Sequence, residues 1–149
     1  MTKFNFSDIK TNPRAIIKYV RHQKQIRLLD LSDQDLSHSD IELLIHGIEE
    51  HNEDLNILKL NHNKSIDDEI CEEIKKLIKG KTPLSELELD GTSVTEKGLE
   101  ELISASVKST VFSKLSLRDC KNIQLENAFQ WRRIMEQMGQ NCSIEKIDL

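Results

Sequence analysis

The chain has 149 residues, 37% of them apolar and 32% charged, the balance of a single soluble domain with a core large enough to stand alone. Its net charge of −5 repels phosphate backbones, so a nucleic-acid partner is not expected. No apolar run reaches the roughly 18 residues of a membrane span, and the N-terminus MTKFNFSDIK lacks the apolar centre of a signal peptide.

Residues 1–25 come first and stand apart from the rest of the chain. Asn12 followed by Pro13 is a helix start, because proline is tolerated at the first helical position. Ile16, Ile17 and Val20 then make one apolar face, with Phe4, Phe6 and Ile9 ahead of it. The segment reads as an N-terminal helical cap. The rival reading is an amphipathic helix on an acidic lipid surface, held by Arg14, Lys18, Arg21, His22 and Lys24.

From Ile26 the chain repeats itself. IRLLDL begins at residue 26, LNILKL at 55, LSELEL at 84, FSKLSL at 112 and IEKIDL at 144. The starts lie 29, 29, 28 and 32 residues apart. Within each motif the apolar residues at the fourth and sixth places fall on one side of a short strand, because side chains alternate with period two. A further apolar residue (Leu36, Ile66, Val94, Ile123) follows each of the first four turns. A helical stripe then completes the unit: Ile41, Leu44, Ile45 and Ile48; Ile70, Ile74, Leu77 and Ile78; Leu99, Leu102 and Ile103. Ser37, Asp67 and Thr95 stand where the N-caps of these helices belong, and Gly80 and Gly139 where the second and fourth stop.

The fourth helical stretch, ENAFQWRRIMEQMGQN, is the bulkiest. Ala128, Trp131, Met135 and Met138 form its expected buried stripe, with Phe129 and Ile134 off it. It reads either as a helix closing that end of the domain or as an outer aromatic contact site. The last motif ends at Leu149. Either further chain continues beyond it, or its edge is bare and supports weak self-association.

No unit of strand, turn and helix can bury its apolar face alone. Stacked side by side, the units share a core, with a parallel sheet on one surface and helices on the other. Helices are wider than the ~4.8 Å spacing of strands, so the stack curves with the sheet inside.

Five LxxLxL motifs in register resemble the leucine-rich-repeat family, and the 28–29-residue period with a full helix resembles its ribonuclease-inhibitor-like subclass. The resemblance covers residues 26–149 and implies an α/β fold: a right-handed β-α superhelix with four full repeats and a final strand. It also implies an Asn or Cys ladder after each strand. Gln34, Asn63, Thr92 and Cys120 hold those places, with Gln and Thr departing from the pattern.

Catalytic and metal chemistry find no purchase. His46 and His51 are five residues apart, on different faces of a helix, and neither CxxC nor HxxxH occurs. Gly-x-Ser-x-Gly, phosphate-loop and GxGxxG motifs are missing. Glu72, Glu73, Glu100 and Glu101 are expected to be solvated near lysines. Cys71, Cys120 and Cys142 read as free thiols. No cofactor and no metal is expected.

The strand register assigns the outward rows of the sheet: Leu28, Ile57, Glu86, Lys114, Lys146; Asp30, Lys59, Glu88, Ser116, Asp148; Ser32, Asn61, Asp90, Arg118; and Asp33, His62, Gly91, Asp119. Asp30, Lys59 and Glu88 alternate in sign and support one another. Leu28 and Ile57 are adjacent apolar groups on a face turned to water, unless the N-terminal segment folds over them. The expected activity is non-catalytic protein binding through the concave sheet, with Leu28, Ile57, Lys59, His62, Glu86, Glu88 and Arg118 as contacts. The resemblance implies a cytoplasmic protein, and its Ile-, Lys- and Asn-rich composition favours a bacterial effector or an intracellular regulator. Alternatives are a self-associating or actin-capping-like end domain and the targeting arm of an enzyme.

Overall fold

The structure, a computed structural model, describes residues 2–5, 12–124, 126–140 and 143–149. Phe6, Ile9 and Cys142 lie outside the described residues. Strands and helices alternate along the chain: β1 (Thr2–Asn5), α1 (Pro13–Arg21), β2 (Ile26–Asp30), α2 (His38–His51), β3 (Ile57–Lys59), α3 (Asp68–Lys79), β4 (Glu86–Glu88), α4 (Glu96–Ser106), β5 (Lys114–Ser116), α5 (Ala128–Met138) and β6 (Lys146–Asp148). The strands form one sheet in the order β1-β2-β3-β4-β5-β6, every neighbouring pair parallel. This is a leucine-rich-repeat solenoid, with the sheet on its concave face and the helices outside.

Register follows the motif. Leu29, Leu58, Leu87, Leu115 and Ile147 pair in sequence across the sheet. The first four are at most 1% exposed, as are Leu31, Leu60, Leu89 and Leu117 two residues further on. Each such leucine removes about 1.5–3 kcal/mol worth of apolar surface from water, which outweighs the weak pairing of strands only three residues long. The helical stripes of α2, α3 and α4 complete the same core.

Helix starts are fixed by side-chain acceptors. Ser37 and Asp40 form a reciprocal capping box at α2, while Asp67, Thr95 and Asn12 cap α3, α4 and α1. Gly80 and Gly139 are the C-caps of α3 and α5, both with negative φ rather than the left-handed turn glycine often supplies there. Asp68 links two repeats: its carboxylate accepts from the Thr95 and Gly98 amides at 2.9 and 3.0 Å and from the Thr95 hydroxyl at 2.7 Å. One acidic side chain in the first turn of α3 thereby also caps the first turn of α4.

The first 25 residues contain a strand as well as the expected cap helix. α1 is present and buries Ile16, Ile17 and Val20, so its apolar face is not available to lie in a lipid surface. Ahead of it, β1 extends the sheet by one strand, with Phe4 beside Leu29 and its ring edge-on to Tyr19 at 5.4 Å. A strand beside β2 pairs the open edge of the first repeat, which a helix alone would leave with unsatisfied backbone groups.

Helix α5 is rotated relative to the stripe its periodicity suggests. Ile134, expected off the stripe, is 1% exposed, whereas Met135 is 63% exposed and Ala128 is also on the surface. Trp131 and Met138 pack on the core as expected, and Phe129 points to solvent. The cause is Glu100 on α4, which is buried rather than solvated. It accepts from Arg133 at 2.8 Å, from Gln137 at 3.3 Å and from Gln130. These three residues share one face of α5, and pinning that face to α4 turns Ile134 inward. Glu72, Glu73 and Glu101 do sit beside Lys75 and Lys76.

Candidate protein-binding surface

All seven predicted contact residues lie on the concave sheet or its rim. Leu28 of β2 is in register with Ile57 of β3, and both are half-buried. β1 lies beside this pair in the plane of the sheet, with Lys3 in register with Leu28. The N-terminal strand therefore flanks the apolar pair and does not lie across it.

Beyond β3 the face turns polar, and its charges hold one another. The Lys59 ammonium is 2.9 Å from Glu88 Oε1, and the other Glu88 oxygen accepts from the Asn61 amide at 2.9 Å. The Lys59–Glu88 hydrogen bond, with the carboxylates of Asp30 and Glu86 nearby, holds the lysine above its usual range despite partial burial. Lys114 is 2.9 Å from Glu86, and the same kind of bond raises its pKa. The expected alternation of Asp30, Lys59 and Glu88 thus resolves into a Lys59–Glu88 pair, while Asp30 accepts from the Ser32 amide at 3.1 Å.

Asp90 is the residue that the sequence pattern alone left out of the contact set. It accepts from the Ser116 hydroxyl at 2.5 Å and the Arg118 amide at 3.0 Å, and it lies 3.3 Å from the Arg118 side chain. Its own amide donates to Asn61 Oδ1 at 2.8 Å. The row assignment already contained Asp90, Asn61 and Arg118 as lateral neighbours, which was the available signal. Ser116 and Arg118, together with Glu86, Glu88, Lys114 and Lys146, rim a shallow depression of about 200 Å³ over β4, β5 and β6.

The turns after β2, β3, β4 and β5 each carry a left-handed residue, Asp33, His62, Gly91 and Asp119, with φ of 58°, 62°, 64° and 57°. Asp, Asn and His tolerate this region better than most side chains. His62 Nδ1 lies 2.9 Å from Asp33 Oδ1, and its ring covers Gly91. Behind the turns runs the buried ladder. Asn63 donates to the Leu31 and Leu60 carbonyls at 3.0 and 2.9 Å and accepts from the Leu36 amide at 3.0 Å. Thr92 and Cys120 each donate to the Leu89 carbonyl, at 2.7 and 3.2 Å.

Among the described residues one group with metal-ligand chemistry is brought together from distant sequence: His38, Asp67 and Glu69, with ligand atoms within 4.8 Å of one another. Capping explains it. Asp67 Oδ1 already accepts from the Glu69 and Ile70 amides at 3.0 and 3.1 Å, and His38 is 3.4 Å from the same oxygen. The thiols of Cys71 and Cys120 are free and buried, and burial beside Asp68 pushes the Cys71 thiol up, away from reactivity.

A leucine-rich-repeat solenoid with a largely charged concave sheet and one apolar pair, Leu28 and Ile57, is the class this geometry defines. No protein-family model and no curated protein matches the chain. Solved structures do. The tropomodulin C-terminal domain of Caenorhabditis elegans superposes with a TM-score of 0.77 at 17% identity, over 93% of this chain and 83% of that one. Actin-binding site 2 of leiomodin-1 superposes with a TM-score of 0.73 at 16% identity, over 95% of this chain and 79% of that one. At these identities the likeness is one of fold.

Proposed function

We propose that the chain is a non-catalytic interaction module that takes a protein partner on its concave sheet, with Leu28 and Ile57 as the apolar centre. The observation that carries this reading is that register: two aliphatic side chains side by side on an open sheet face, next to lysine–glutamate pairs already locked in place. A contact that buries the aliphatic pair gains apolar area, and the ordered charges around it cost little further entropy. Six strands supply roughly the 800 Å² per partner of a standard interface. Asp30, Glu86, Glu88 and Asp90 are engaged by lysine, arginine, amide or hydroxyl groups, as in a fixed contact surface.

The repeat length supports the ribonuclease-inhibitor-like subclass, and that resemblance implies a cytoplasmic setting. Among the described residues no helix is long and apolar enough to cross a membrane. Actin is the partner to test first, because an actin-binding site of leiomodin-1 has this fold. Wild type and Leu28→Asp/Ile57→Asp are titrated against monomeric actin by fluorescence anisotropy and sedimented with filaments. The wild type binds in at least one assay, and the double variant binds about tenfold more weakly or worse. Equal binding by both proteins refutes the concave site, and no binding by the wild type refutes actin.

A further inference from the structure

A second surface lies away from the sheet, between α1 and α2, and its charge is opposite to that of the rest of the chain. Residues 1–25 contain six lysines and arginines and one aspartate, a net +5, whereas residues 26–149 contain 15 against 25, a net −10. Three of these six cations line one groove of about 550 Å³. Arg14, Lys18 and Arg21 line its α1 side, with His22 and His51 at one end. Ile17 and Leu43 form its apolar floor, and Leu43 is 44% exposed.

The cations are only loosely neutralised. Arg14 is 3.8 Å from Asp40 and Arg21 is 3.8 Å from Glu50, both longer than a hydrogen bond. Lys18 has no ion-pair partner among the described residues. The groove is also held in shape, because the stem of Arg21 crosses α2 at Gly47, where a β-carbon would collide with it.

We infer that this groove docks an acidic amphipathic segment of a protein partner, its carboxylates on Arg14, Lys18 and Arg21 and one aliphatic side chain on Leu43. A lipid surface fits less well, since the apolar stripe that would enter it is buried in the core. A long polyanion fits less well too. Charges beyond about 8–10 Å are screened, so a short segment meets the basic groove alone, whereas nucleic acid also meets the acidic body.

The test uses the full chain and a labelled 18-residue helical peptide with glutamates on one face and leucines on the other. A peptide with glutamine at every glutamate position is the control, and phosphatidylserine vesicles form a separate arm. The acidic peptide binds, its affinity falls as salt is raised, and Lys18→Glu/Leu43→Asp weakens it about tenfold. The milder Lys18→Ala/Leu43→Ser weakens it in the same direction, and circular dichroism verifies that both variants fold. Leu28→Asp/Ile57→Asp leaves peptide binding unchanged, which separates this surface from the concave one. Equal binding of the glutamine peptide, insensitivity to both groove variants, or use of these residues for vesicles or for a second copy of the chain in place of the peptide overturns the inference.

Discussion

The ring of His62 lies on the bare backbone of Gly91, one repeat along, so close that a β-carbon on Gly91 would sit 2.5 Å from His62 Cδ2. Both residues occupy the left-handed turn that succeeds their strands. Gly91→Ala therefore meets two penalties, the strained φ and the clash, and should cost about 1–2 kcal/mol of stability. The neighbouring turns hold Asp and His at the same φ, so strain alone is tolerable there. Adding His62→Ala should recover the clash and leave the strain. Urea unfolding of the two single variants and the double variant measures the coupling; strict additivity would show that the ring and the glycine do not interact.

Asn63 is the strongest rung of the buried ladder. Asn63→Ala leaves two carbonyls and the Leu36 amide without their partner in a fully buried place. A loss of about 2–4 kcal/mol is expected. Thr92→Ala, which removes one donor to a carbonyl that Cys120 also serves, should cost about 1 kcal/mol. Chemical denaturation ranks the two, and the reverse order would contradict the ladder as described.

The Lys59–Glu88 pair has a pH signature. Its pairing raises the lysine above the ordinary value of 10.5 in the folded state. A raised folded pKa means that the contribution is fully present below the unfolded value and is lost as pH climbs through the folded one. The stability difference between wild type and Lys59→Met should be flat from neutral pH to about 10 and shrink above that. The pair is partly exposed, so the difference at neutral pH should stay below about 1 kcal/mol. A difference that grows with alkali would reverse the assigned sign.

Much of this architecture was legible because the repeat is an averaging device. Any single LxxLxL motif is weak, but five in register placed Leu29, Leu58, Leu87 and Leu115 on one buried line and Leu28, Ile57, Glu86 and Lys114 on one outward-facing line. Caps at Ser37, Asp67 and Thr95 were readable because their chemistry is local. Whatever depended on a single non-local contact was not readable. β1 has one apolar side chain among four residues and exists because β2 offers an edge. The rotation of α5 is set by Glu100 on another helix, and periodicity cannot choose between the adjacent Ile134 and Met135 without that anchor. In the contact surface the row members were visible, but the hub at Asp90 and the packing of His62 on Gly91 needed the spacing between strands.

Whether a partner seats on the concave sheet can be read from methyl NMR of the 149-residue chain during titration with monomeric actin. If the partner seats there, the methyl signals of Leu28 and Ile57 shift or broaden first, while that of Leu43 on α2 stays in place. A perturbation confined to Leu43, with Leu28 and Ile57 unmoved at saturation, would contradict that seating.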